Sequence, residues 1–136
     1  MRVFKLFFAV ILGINLAFGG EMRVEFVCEN GVAVAVLNDT NSAKSFYEIL
    51  PLKLDLKDYA GREKIAYLPE RLNFAGDPSS DGKTGEIGYF SPWGNLVLFY
   101  ESQPYYDGLI KLGKFENNFE KIIKCEKILV KKVDLD

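Results

Sequence analysis

EIGYFSPWGNLVLFY, residues 86–100, reads as two short strands, Glu86–Ser91 and Leu96–Tyr100, folded back on each other at Pro92-Trp93-Gly94-Asn95. Proline presets φ for the second position of a tight turn, and glycine suits the fourth. The second strand, LVLFY, is apolar at every position, so both of its faces are buried, one in a barrel interior and the other under a packed helix. The run from Tyr89 to Tyr106 holds seven aromatic side chains and the sole tryptophan, Trp93. Tyr89, Phe90 and Phe99 lie in strands and fit a core. Trp93 lies in a turn, where so large a ring needs a packing reason. It either covers one end of the structure or lines a cleft with Tyr67, Tyr105 and Tyr106.

Working outward, MRVEFVCENGVAVAVLND (22–39) is a hairpin: two alternating strands about an Asn-Gly turn. In DTNSAKSFYEILP (39–51), Asp39 or Thr40 can cap a helix with Ala43, Phe46, Tyr47 and Leu50 on one face. Pro51 stops its continuation. LKLDLKDY (52–59) and part of EKIAYLPERL (63–72) alternate again, GDPSSDGKTG (76–85) is a polar loop, and GLIKLG (108–113) is a strand. NNFEKIIK (117–124) is a short helix and KILVKKVDL (127–135) a last strand. About eight short strands with one or two helices in so small a chain predict a mainly β protein, a closed barrel capped by helices. Side chains just fill such a barrel, so a binding site belongs on its outer wall or rim.

The 136 residues suffice for one domain. Residues 1–19 begin with Arg2 and Lys5, run apolar from Leu6 to Phe18, and place Ala17 and Gly19 at signal-peptidase positions. The run is shorter than the roughly 20 residues that span a bilayer. It reads as a secretory signal cleaved after Gly19, the alternative being an uncleaved anchor. Residues 20–136 then form one periplasmic or secreted domain with no stable membrane insertion. That domain keeps 15 of the 17 basic side chains against 19 acids, a net charge of −4. This balance argues against nucleic acid or an anionic membrane as partner.

Export also changes the reading of Cys28 and Cys125, one near each end of the domain. In an oxidising compartment they suggest a disulfide between terminal strands, against the alternative of two buried thiols. Histidine is absent, which removes Ser-His-Asp and Cys-His nucleophile pairs and every His-containing zinc site. Asp77, Ser79, Asp81 and Gly82 match the first half of a calcium loop, but Gly88 stands where a bidentate glutamate is needed. The expectation is no metal and no cofactor.

FYEILP (46–51), DYAGREKIAYLPERL (58–72), GEIGYFSPWGNLVLFY (85–100) and GLIKLGKFE (108–116) together resemble the small prokaryotic cyclophilin-like proteins. The likeness covers residues 22 to about 122, with Glu86 where the family has aspartate. It implies a cyclophilin-type eight-stranded barrel whose first and last strands lie together, bringing Cys28 and Cys125 near each other. The function of that family is not established, and fold does not imply activity. True cyclophilins carry a Phe-x-Arg-x-x-Pro-x-Phe-x-x-Gln motif. The comparable KIAYLPERLNF (64–74) lacks its arginine and glutamine spacing.

Prolyl isomerisation faces a barrier of about 18–20 kcal/mol, and lowering it calls for a donor on the prolyl nitrogen beside an apolar cup. Arg71 is the arginine expected in that role, with Tyr67, Phe74, Phe99 and Trp93 as cup walls. The leading expectation is a peptide or small-molecule ligand in an external cleft formed by Tyr67, Arg71, Phe74, Trp93, Phe99, Tyr105 and Tyr106. A divergent prolyl isomerase and a structural module without a cleft are the alternatives.

Overall fold

Glu29 and Asn30 turn the chain between β1 (Met22–Cys28) and β2 (Gly31–Leu37), which pair from Met22 opposite Leu37 to Cys28 opposite Gly31. The computed structural model describes residues 20–134; the expected signal segment lies outside them. After β2 comes α1 (Asn41–Glu48), capped by Thr40, whose Oγ1 accepts from the Ala43 amide. Ala43 and Phe46 turn inward from it. Strands β3 (Leu52–Asp55), β4 (Lys57–Tyr59), β5 (Glu63–Tyr67), β6 (Ser79–Gly82), β7 (Glu86–Phe90), β8 (Asn95–Phe99) and β9 (Gln103–Phe115) follow. The short α2 (Phe119–Ile122) and β10 (Lys127–Lys132) complete the chain.

The described strands form one ten-stranded antiparallel sheet in the order β3-β10-β1-β2-β9-β7-β8-β5-β4, with β6 joined to β9. Its inner face buries Val24, Phe26, Ile87, Tyr89, Leu98 and Leu112 completely. The Tyr89 hydroxyl is satisfied there by the Leu72 amide at 3.1 Å, as a buried phenol requires.

The expected closed barrel of about eight strands is corrected on both counts. No hydrogen-bonded ladder joins the two edges of the sheet, β3 and β4. They are consecutive in the chain with Leu56 alone between them. One residue cannot make the hairpin turn that antiparallel pairing needs. The chain therefore turns a corner at Leu56, and β3 pairs with β10 while β4 pairs with β5. The extra strands come from that corner and from β6, which lies in the segment expected to be a polar loop.

The first and last strands do lie side by side, with Val24 opposite Lys132 and Val27 opposite Leu129. The Cys28–Cys125 disulfide closes this end of the sheet across a Cα separation of 6.5 Å.

Candidate functional site

Strand β8 is buried along its whole length, and its two faces serve different purposes. Leu96 and Leu98 enter the main core. Asn95, Val97 and Phe99 alternate with them and face outward. Across the ladder, Glu63, Ile65 and Tyr67 of β5 stand opposite Phe99, Val97 and Asn95. On the other side Gly88 and Phe90 of β7 stand opposite Val97 and Asn95. Ile65, Val97, Phe99, Leu109 and Phe90 pack as a second, smaller apolar cluster on this outer wall.

The layer over that cluster is built from β6 and the first half of β9. From Leu109 onward β9 pairs with β7, whereas Gln103, Tyr106 and Ile110 pair with β6. The β7 ladder begins just after Gly108, whose φ of +92° an L side chain rarely adopts. Lys111 fixes β6 to the wall, pairing with Asp81 at 3.3 Å and Glu86 at 3.1 Å. Burial works against the Lys111 ammonium, and the two carboxylates outweigh it, so its pKa is raised.

Between this layer and β4–β5 lies a cleft of about 380 Å³. Its floor is Asn95, Val97 and Phe99, and its walls include Tyr59, Phe90, Trp93 and Tyr106. The rings meet edge to face: Trp93 lies 5.7 Å from Tyr59 and 5.4 Å from Phe90, and Phe90 lies 5.6 Å from Tyr106. Near-perpendicular rings leave π faces on several sides of one space.

Polar groups sit at the two ends. Asn95 is 1% exposed; its Nδ2 donates to the Leu96 carbonyl at 3.2 Å. Its buried Oδ1 has no hydrogen-bond partner among the described residues. At the opposite end are Arg62, Glu63 and Gln103. Arg62 donates to Gln103 Oε1 at 3.3 Å. Burial pushes the Glu63 carboxyl above its usual range; Arg62 opposes this and Asp58 adds to it. Beside this end the Tyr100 hydroxyl donates to Asp58. That bond lowers the carboxyl and holds the phenol at a pKa of about 12.

Of the residues expected at a cleft, Trp93, Phe99 and Tyr106 line this one. Tyr67 shares the face, opposite Asn95, but is 55% exposed and outside the lining. Tyr105 is exposed on β9 and also outside the lining. Phe74 packs 6.3 Å from the Tyr89 ring instead. Arg71 donates to the Ser91 carbonyl at 2.8 Å, bracing the turn that carries Trp93. The arginine in the lining is Arg62. Arg62, Glu63, Asn95 and Gln103 were missed because alternation tells which residues share a face within one strand, and their meeting depends on pairing between strands.

Asp77, Ser79 and Asp81 of the half calcium loop have other partners: Asp77 accepts from the Ser42 amide, Ser79 bonds Asp107, and Asp81 pairs with lysines. Among the described residues no group of three or more metal-ligating side chains gathers, and no helix is long and apolar enough to cross a membrane.

The fold is similar to the solution structure of the hypothetical protein AF2241 from Archaeoglobus fulgidus, with a TM-score of 0.66 at 16% sequence identity. The alignment covers 85% of this chain and 97% of that one. No curated protein matches the chain. The model of the cyclophilin-like family matches residues 26–131, nearly all of the described sheet. With that match spanning most of its length, the chain belongs to the cyclophilin-like family.

Proposed function

We propose that this is an exported binding domain that holds a small molecule or a peptide side chain in the outer-wall cleft. The observation that carries the reading is the Asn95 amide oxygen, buried and unpartnered on the floor of an aromatic cleft. A buried acceptor without a partner costs about 1–3 kcal/mol, and a ligand donor would recover it. The cleft volume also falls within the range that small-molecule sites occupy. Export is supported by the Cys28–Cys125 disulfide, a bond that persists in oxidising compartments.

Trp93 is the sole tryptophan, so its fluorescence reports on this cleft alone. The test is a fragment screen against residues 20–136 read by Trp93 emission. Saturable shifts that disappear in Tyr106→Ala are the expected result. A screen without a saturable response would overturn the reading.

Divergent prolyl isomerisation stands second, favoured by one observation: Arg62 lines the same cleft as Tyr59, Trp93 and Phe99. Exchange NMR on Xaa-Pro peptides decides it. Catalysed exchange lost in Arg62→Ala supports isomerisation, and unaccelerated exchange removes it.

A further inference from the structure

Two acceptors of the cleft have no partner among the described residues. Asn95 Oδ1 is buried without a partner. Glu63, at the other end, makes no hydrogen bond or ion pair among the described residues, and burial disfavours its charged form. At the Glu63 end the neighbouring donors are partly engaged. Gln103 Nε2 bonds the Glu101 and Ser102 carbonyls, and Arg62 is turned to Gln103 Oε1.

Spacing adds a second constraint. Glu63 stands opposite Phe99, and Asn95 lies four residues away along β8, which is about 13 Å at 3.3 Å per residue. One ammonium cannot reach both acceptors. Between them the floor is apolar, Val97 and Phe99, and beside it stand the rings of Tyr59, Trp93, Phe90 and Tyr106. The surface therefore runs acceptor, apolar strip, acceptor, flanked by rings that attract cations.

Resting on the binding function proposed above, we infer that the ligand is a linear aliphatic diamine or polyamine. One ammonium meets the Glu63 carboxylate, the methylene chain lies over Val97 and Phe99, and a second N–H donates to Asn95 Oδ1. An anionic ligand would meet Glu63 unfavourably, and Arg62, the cation of the same end, is drawn toward Gln103 Oε1.

The test is a Trp93 fluorescence titration, with NMR as a second readout, using α,ω-diamines of four to eight carbons, spermidine, hexylamine, 1,6-hexanediol and adipate. The longer diamines or spermidine are expected to bind about tenfold or more tighter than hexylamine, and hexylamine tighter than the diol. Glu63→Gln and Asn95→Leu should each erase the advantage of two amines over one while the amide spectrum stays folded. Arg62→Gln, which removes the competing cation, should tighten diamine binding. Equal or tighter binding of the diol or of adipate would overturn the amine assignment and leave the cleft reading intact. So would a diamine preference that survives Glu63→Gln. If neither these compounds nor the fragment screen gives a saturable response, both proposals fall together.

Discussion

Gly82 of β6 lies against the ring of Phe99: a Cβ at position 82 would stand 2.4 Å from the Phe99 Cζ. Gly88 of β7 crowds the same ring, with a Cβ there 3.0 Å from Cε2. Phe99 is thus held between two strands that lack side chains at the contact, and the covering layer settles onto the wall at backbone distance. The cleft floor is set by this contact.

Replacing Gly82 with alanine should therefore displace the Phe99 ring or lift β6. A loss of about 1–3 kcal/mol is expected from overpacking, read by chemical denaturation, with faster hydrogen exchange in β6. Gly85→Ala is the comparison. Its Cβ would meet nothing within 4 Å, so only the strain of its φ of +90° remains, about 1 kcal/mol.

Reducing the Cys28–Cys125 bond should cost about 2–5 kcal/mol, because the bond joins residues 97 apart in sequence and restricts the unfolded chain. Calorimetry with and without a phosphine reductant measures it. An unchanged midpoint would show that the bond contributes nothing.

The Tyr100 phenol, pushed up to about 12 by Asp58, should titrate nearer 10 in Asp58→Asn, followed by ultraviolet absorbance. The folded phenol binds its proton more tightly than the unfolded one. Its stabilising bond is fully present below pH ~10 and is lost as pH rises through the folded value.

Acid should act through three carboxyls, Asp58 among them. Asp55 is held low by Lys127, Asp58 by Tyr100, and Asp81 by Lys83 and Lys111. Depressed carboxyls stabilise above their unfolded value near 3.9 and lose that effect as pH falls through the folded one. Thermal midpoints are expected to drop below about pH 4. Glu63 has the opposite sign, since its raised value makes ionisation costly in the folded state. Glu63→Gln should therefore raise the midpoint at neutral pH, and a lowered midpoint would count against an unpaired carboxylate there.

Much of the sheet was legible because its strands carry their own signal. The hairpin turn before Gly31, the alternation of β1, and the Thr40 cap are local properties of the chain. The double-faced burial of Leu96–Phe99 was legible too, but its second face is covered by β6 with the first half of β9 and not by the expected helix. What escaped was conferred by distant partners. Ser79–Gly82 has no apolar alternation and becomes a strand only by pairing with β9. Gln103–Asp107 begins with a proline-bearing polar run, yet it continues into a strand of 13 residues. Arg71 and Arg62 are both arginines beside β5, and pairing between strands, not spacing, put Arg62 in the cleft. The open edge at Leu56 follows from a single residue that no periodicity could single out.

The adjacency of β1 and β10 has a topological consequence. Both ends of the described chain leave the sheet at neighbouring positions, while β8, which carries the cleft floor, lies near the far edge of the sheet. Joining residues 20 and 134 by a short glycine-serine linker and reopening the chain at Ala60-Gly61, an exposed turn, would give a circular permutant with every strand pair preserved. In that molecule β4 and β5, joined in the native chain by a tight turn, would be held together only by their ladder and the core. Whether such a permutant folds would separate what the order of the chain contributes from what the sheet contributes.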